Sequence, residues 1–501
     1  MTQVSKRSRL PRILLLLVLG AWAGIGWWHT AKPLPPGTHV AGALQPVDEA
    51  SLQLLTDLTA VDLRGVTVIE QSIHARVLER IRSARDFLVL DYFLFNDQPG
   101  PSGVLRYQNG IQPVASQTLD ALLALRAREP ALPILVLIDP INGYYRGIAP
   151  EDFAPLSQAG IDVVVVDLDP LRDSNPLYSS LWRLAFQWWL APGVQGGWGN
   201  PLDAAGPSLP LSAVLRIPHF KADHRKVLIT GDGAGSLVGM VSSANPHDAS
   251  SAHSNVALEL HGEALRPLLQ SEVAIAQLSG WQGTALQTAA AQPAPAPRPA
   301  VTGDARAAIL TEGAIADALL AALAEAGAQD RIDIAQFYLS DRHVIDALLA
   351  ASRRGAAIRL VLDPNKDAFG FEKSGLPNRL VASELVAASD GAIKLRWYRT
   401  HGEQFHAKVV AIRRPHQFWL CLGSANFTRR NLDDYNLEAN VLVTTAPDSA
   451  LDRSVEGWFD SLWFNRPGRI EYTADSDLYA DPSQGRYWLY RFMEATGLST
   501  F

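Results

Sequence analysis

The chain is 501 residues long, more than one typical domain needs, and its composition of 48% hydrophobic and 19% charged residues excludes a disordered protein. A net charge of −7 lacks the basic footprint of a broad nucleic-acid binder. The single cysteine, Cys421, excludes an intrachain disulfide and a cysteine-based metal cluster, and its place in an apolar run makes it a small core residue.

Lys6, Arg7, Arg9 and Arg12 come before the uncharged run Ile13–Trp28. As a helix that run spans roughly 24 Å, a little short of a hydrocarbon core of about 30 Å. Trp27 and Trp28 would mark the far interface, with the basic residues holding the start inside the cell. An uncleaved anchor is the leading reading. A cleaved signal peptide is the alternative, because Ala21-Trp22-Ala23 fits a small-x-small cleavage site. Either way the body lies across the membrane, and Lys32-Pro33-Leu34-Pro35-Pro36 reads as a short stalk.

From residue 46 the pattern is α/β. Ile73, Val77 and Ile81 recur at helical spacing within 70–84. The near-continuous apolar run 87–94 predicts a strand buried on both faces. A helix at 118–128 follows, then a strand at 134–138 closed by Asp139-Pro140, and another at 163–166. Residues 181–190 are apolar nearly all round, apart from Arg183 and Gln187, and lead into the Gly-rich 193–199. They read as a core or lobe-interface helix, or alternatively as a Trp-rich element dipping into a lipid interface.

The second half repeats this order. A helix at 314–326 precedes a strand at 332–339, with Asp341 matching Asp97. Asp346–Ala350 repeats Asp120–Ala124 residue for residue, and a strand at 358–362 is again closed by Asp-Pro, here Asp363-Pro364. A strand at 393–398 matches 163–166. The division is an anchor and stalk (1–45), a first α/β lobe (46–285), an Ala/Pro-rich linker (286–304) and a second lobe (305–501). Asn365–Ser374 reads as a loop over the strand ends, where α/β ligands bind. The run Arg486–Phe492 reads as a packing helix without chemistry.

A polar motif is repeated with the fold. His406-Ala407-Lys408 leads an apolar strand, a second apolar strand ends in Gly423-Ser424-Ala425-Asn426, and Glu438 lies beyond. In the first lobe His224-Arg225-Lys226 leads a strand, Ser242-Ser243-Ala244-Asn245 closes the next, and Glu259 follows. The His-to-Asn distance is 21 positions in one copy and 20 in the other. A rival register from His219-Phe220-Lys221 puts polar residues where an apolar strand belongs, which leaves His219 as a neighbour of the site.

Alternation puts His and Lys on one strand face. Lys supplies a point charge for phosphate oxygens, and Asn and Ser supply directed hydrogen bonds. His can attack phosphorus or protonate a leaving alkoxide. A nearby Glu can hold the imidazole tautomer, making Glu259 and Glu438 candidate imidazole partners. Two facing lobes then give a nucleophile and an acid across one phosphate, with no metal or cofactor required.

At these residues the chain resembles the phospholipase D superfamily, whose signature is His-x-Lys-x4-Asp followed by Gly-Ser-x-Asn, usually twice per active site. The resemblance covers nearly all of residues 60–480 and is to bacterial cardiolipin synthases and related phospholipases D. It implies two similar lobes, each a mixed sheet flanked by helices, related by a pseudo-two-fold axis. It also implies metal-independent phosphatidyl transfer or hydrolysis through a phosphatidyl-histidine. The site carried over is His224, Lys226, Ser243 and Asn245 with His406, Lys408, Ser424 and Asn426. A phospholipid substrate, no nucleic acid, and a bacterial inner-membrane anchor with a periplasmic body are the corresponding expectations. A nuclease of the same superfamily and an inactive lipid-binding scaffold are the rival readings. The motif Asp falls on Gly231 in the first copy, with Asp232 one place late, and on Arg413 in the second. The expectation there is weakened scaffolding without lost chemistry.

Overall fold

The computed structural model describes residues 10–98, 111–147, 153–190, 196–292, 303–368, 371–466, 470–499 and 501. The basic residues Lys6, Arg7 and Arg9, the centre of the expected linker (293–302) and part of the Gly-rich run (191–195) lie outside these.

Two sheets carry the chain. The first has seven strands in the order Gln53–Thr56, Val256–His261, Leu237–Ser242, Lys226–Gly231, Leu88–Tyr92, Ile134–Ile138 and Asp162–Val165. The second runs Gln45–Pro46, Arg306–Thr311, Ala439–Thr445, Gln417–Gly423, Lys408–Arg414, Arg331–Gln336, Ala357–Leu362, Lys394–Tyr398 and Thr473–Asp475. The seven strands of the first sheet match the middle seven of the second in order. In each lobe a parallel trio pairs with an antiparallel meander through the strand that follows the histidine. The lobes are two copies of one mixed α/β fold related by a pseudo-two-fold axis.

Alternation along these strands explains the layering. On Lys408–Arg414, Val409 and Ala411 join a core shared by both lobes, while Val410 and Ile412 face the helices of their own lobe. On Lys226–Gly231, Val227 and Ile229 enter the shared core and Leu228 packs outward. The sheets therefore stack face to face with helices outside, which is why their strands read as continuous apolar runs. Ile73, Val77 and Ile81 form the buried stripe of the helix Ile73–Ser83, as their spacing predicts.

Four local expectations change. The linker expected over 286–304 begins inside the helix Thr284–Ala291, whose Leu286 and Ala290 are buried in the shared core. The helix Leu10–Ala31 is longer than the uncharged run and is apolar and long enough to cross a membrane. The chain after it does not stand free as a stalk. Thr38 is buried, Gly42 N donates to Ile309 O at 2.9 Å, and Gln45–Pro46 pairs antiparallel with the second sheet. Residues 181–190 do not form a core helix either. The helix Pro176–Leu181 runs into a π-helical turn, Trp182–Phe186, where Trp182 is buried but Trp188 and Trp189 are exposed. Cys421 is buried, as its apolar run predicts.

Candidate active site

Each histidine sits two residues before its strand, and the opposite lobe grips it there. His224 N donates to Leu437 O at 2.9 Å and Leu437 N donates back to Ala222 O at 3.0 Å. In the corresponding exchange, His406 N donates to Ser254 O at 2.8 Å and Ser254 N to Gln404 O at 2.9 Å. The Asp-Pro turns hold the same segments from within each lobe. Asp139 Oδ2 accepts from Asp223 N at 2.6 Å, and Asp363 Oδ2 accepts from Phe405 N at 2.8 Å. The repeated Asp-Pro was visible in the sequence, but its role in aiming the next histidine was not.

The two His–Lys pairs meet where the lobes join, and all four side chains are buried. Phe93 and Phe337, each just past the strand paired with the motif strand, stand edge-on to His224 and His406 at 5.0 Å. The ammonium groups of Lys226 and Lys408 lie 5.1 and 5.3 Å from the same ring centroids, within cation–π range. Each Lys also donates to the carbonyl of its own motif histidine. The phenylalanines are neighbours of the candidate site that sequence reasoning missed; their matched place after equivalent strands was the available signal.

The imidazoles have unlike partners. Glu438, fully buried, reaches across the lobe boundary to His224 Nδ1 at 3.0 Å. Ser424 Oγ and Asn431 Nδ2 also donate to this carboxylate. Burial alone would raise the Glu438 carboxyl, but the His224 ring and Lys226 hold it below its usual range. His406 Nδ1 instead faces Ser243 O at 3.0 Å and Asn255 Oδ1 at 3.2 Å, and Ser243 Oγ donates to the same amide oxygen at 3.0 Å.

Glu259 is not the partner of either motif histidine; the imidazole nearest it is His261, 3.7 Å away. Its carboxylate lies against Arg76 and Arg80 at 2.8 and 2.6 Å. The His261 ring and these two cations overcome its burial and bring it down to about 2. The hydrogen bonds Ser243 N to Val256 O and Ser424 N to Ala439 O align Asn255, not Glu259, with Glu438. Ser243 and Ser424 also differ from expectation, since their hydroxyls are spent on Asn255 and Glu438 and not aimed at an anion. Asn245 Oδ1 accepts from Leu94 N at 3.2 Å, while Asn426 Oδ1 is buried without a partner. His219 bonds Ser179 and lines a cavity of about 380 Å³ with Pro140, Trp182, Arg183, Arg216 and Lys221.

Burial sets the electrostatics. It lowers His224 to about 4, against the pull of Glu438, and Lys226 to about 8. His406 and Lys408 fall well below their usual values, again first through burial and then through neighbouring cations. Two lysines and two imidazoles held this way favour a bound anion, which would restore their charge.

The positions of the motif Asp are filled differently in each lobe. Arg413 bonds Asp333 at 2.8 Å and Asp452 at 2.7 Å, tying its strand to the helix Ala450–Phe464. A side chain at Gly231 would put its Cβ 2.3 Å from Asp86 Oδ2. At the second position Arg413 supplies two ion pairs where the motif carries Asp. Arg225, between the first His and Lys, is buried and bridges Glu272 of one lobe to Glu312 of the other at 3.1 and 2.6 Å.

Residues 319–463 match the family model described as "Cardiolipin synthase, PLD-like domain". Curated proteins give no match to the sequence. Among solved structures, the phosphatidylserine synthase of Haemophilus influenzae Rd KW20 aligns over 96% of this chain and 99% of its own, with 10% identity and a TM-score of 0.53. Nuc from Salmonella typhimurium, a phospholipase D family member, aligns over 35% of this chain and 99% of its own, with 18% identity and a TM-score of 0.26. The chain thus has the two-lobed phospholipase D fold, and its second lobe carries a phospholipase D-like domain matching the cardiolipin synthase family model.

Proposed function

We propose that this chain is a membrane-tethered phosphatidyltransferase or phospholipase D, acting on a phospholipid phosphodiester through a phosphohistidine on His406. The observation that carries the reading is the unequal pair of imidazole partners, Glu438 on His224 and the Asn255 amide on His406.

The two acceptors on His406 Nδ1 are neutral, which keeps the proton on Nδ1 and leaves the Nε2 lone pair for attack. The carboxylate on His224 stabilises an imidazolium, the form a general acid needs. In the first step His406 Nε2 bonds to phosphorus, the bond from phosphorus to the leaving alkoxide breaks, and His224 Nε2 gives that alkoxide its proton. In the second, His224 takes a proton from water or a lipid hydroxyl, whose oxygen bonds to phosphorus and frees His406. Lys226 and Lys408 meet the charge that develops on the phosphate oxygens.

A lipid substrate is favoured by the helix Leu10–Ala31, which would bring the body to a membrane. The basic residues before it, Lys6 to Arg12, favour a cytoplasmic start and a body on the far side.

The test uses purified full chain in vesicles containing phosphatidylglycerol or a phosphatidyl ester of p-nitrophenol. His406→Ala should abolish turnover and covalent labelling on both. His224→Ala should lose turnover on phosphatidylglycerol yet still form phosphohistidine from the nitrophenyl ester, whose leaving group needs no acid. Labelling that survives His406→Ala and vanishes in His224→Ala would reverse the roles. Cleavage of single-stranded DNA without lipid turnover would overturn the substrate class.

A further inference from the structure

The last helix, Gln484–Thr496, carries apolar side chains on both its inward and its outward face. Its buried face carries Tyr490 and the carboxylate of Glu494, which accepts from Ser340 Oγ at 2.7 Å and Arg429 N at 2.8 Å. Its outward stripe is Trp488, Leu489, Phe492 and Ala495, with Trp488 65% exposed and Leu498 exposed just beyond the helix. The Glu494 bonds fix that orientation, so the aromatic face cannot turn inward without breaking them. An apolar helical stripe at i, i+3 and i+4 spacing normally faces a core. Here nothing among the described residues covers it.

This stripe is continuous with the exit of the N-terminal helix. Gly26 of that helix packs so closely on Pro176 and Ser180 that a Cβ there would lie 2.8 Å from Ser180 Oγ. Trp22 Nε1 donates to Leu177 O at 3.1 Å, and Asp173 N donates to His29 O at 2.9 Å. The next residue, Ser174, meets the end of the last helix. A Cβ on Gly497, at φ 74°, would fall 1.9 Å from Ser174 O, and Arg430 reaches from Ser174 Oγ to the carbonyls of Gly497 and Ser499. The segment Asp173–Asn175 then enters the Pro176–Leu181 helix, which leads through the Trp182–Phe186 turn to the exposed Trp188 and Trp189. Three apolar elements therefore converge on three residues of chain. Five of the thirteen tryptophans, Trp27, Trp28, Trp188, Trp189 and Trp488, are exposed on them. Trp gathered beside a membrane-crossing helix is the composition of a headgroup boundary.

We propose that Trp188, Trp189, Trp488, Leu489 and Phe492 form one docking face that enters the same bilayer leaflet from which the N-terminal helix emerges. The bilayer is favoured over a second copy of the chain because the face is continuous with the crossing helix. The face fixes the tilt of the body on the membrane, so the tether alone does not set the orientation of the two lobes. The inference rests on that helix lying in a bilayer and is independent of the histidine chemistry.

The test is site-directed spin labelling of the full chain in phosphatidylglycerol-containing proteoliposomes. Cys421 is buried, so a nitroxide goes to the introduced thiol. Labels at Trp189→Cys, Trp488→Cys and Phe492→Cys are compared with Glu325→Cys, whose side chain is exposed in the second lobe. The three face labels should collide with molecular oxygen several-fold more, relative to a water-soluble nickel chelate, than the Glu325 label does. Labels at 488 and 492 that match the Glu325 label would overturn the proposal. So would shielding from both reagents, which marks a protein partner. Catalytic activity has no part in the readout, so a wrong reaction assignment leaves this result intact.

Discussion

His224 and His406 hold the same place in two copies of one fold, yet a carboxylate supports one ring and an amide the other. The backbone exchanges around them correspond under the pseudo-two-fold axis, as do Phe93 and Phe337. The scaffold therefore fixes where two imidazoles stand, while single side chains at the strand mouths favour one of them as the ring that takes up a proton when an anion binds. In the proposed reaction this difference of one carboxylate separates the acid from the nucleophile.

The largest effect is expected from making the lobes alike. Glu438→Gln should lower kcat by about 10²- to 10⁴-fold at neutral pH, the usual contribution of a positioned acid–base group. The loss should shrink on substrates with a good leaving group. Equal losses on both substrate types would place Glu438 in folding and not in proton transfer. The converse change, Asn255→Asp, should raise the basicity of His406. The acid limb of the kcat/KM profile would then move upward, while an unshifted limb would remove His406 from the nucleophile's role.

Acid should expose the comparison in stability. Burial holds both rings below free imidazole, so the unfolded chain binds protons that the folded chain refuses. Their contribution is complete above pH 6.5 and is lost as pH falls through the folded values, near 4 for His224. The slope is about 1.4 kcal/mol per pH unit for each titrating ring. Urea unfolding in detergent at pH 7.5, 6 and 5 measures it, and His224→Ala and His406→Ala should each flatten the curve. A wild-type curve already flat between those values would mean that neither ring is held neutral.

The smallest catalytic effect belongs to the motif positions that depart from aspartate. Arg413→Met leaves Asp452 without its cation, while Asp333 keeps Arg359 at 2.6 Å, and should destabilise the second lobe by about 1–3 kcal/mol. Turnover per folded molecule should stay within twofold, as read by thermal unfolding beside active-site titration. A large kcat loss in the folded variant would bring Arg413 into the chemistry.

Much of this was legible in the sequence because burial on both faces of a strand writes itself as an apolar run. The repeated Asp-Pro and His-x-Lys then marked the strand ends. Asn255 was not legible. Support of an imidazole points to a carboxylate, and Glu259 shares the strand parity of Asn255 but lies about 13 Å further along at 3.3 Å per residue. Alternation reports which face a residue takes and says nothing of its height on the sheet. The exposed stripe of the last helix was hidden for a related reason: 3.6-residue periodicity shows that a helix has two faces, and Tyr490 and Glu494 show which one is turned inward.

The crossed grip of Leu437 on His224 and Ser254 on His406 has a consequence for symmetry. Two identical lobes joined as a homodimer must obey their two-fold axis, so each imidazole would receive the same partner from its neighbour. Both rings would then titrate alike, and the choice of nucleophile would rest on how the substrate happened to bind. Joining the lobes in one chain removes that obligation. Glu438 and Asn255 are what this chain does with the freedom.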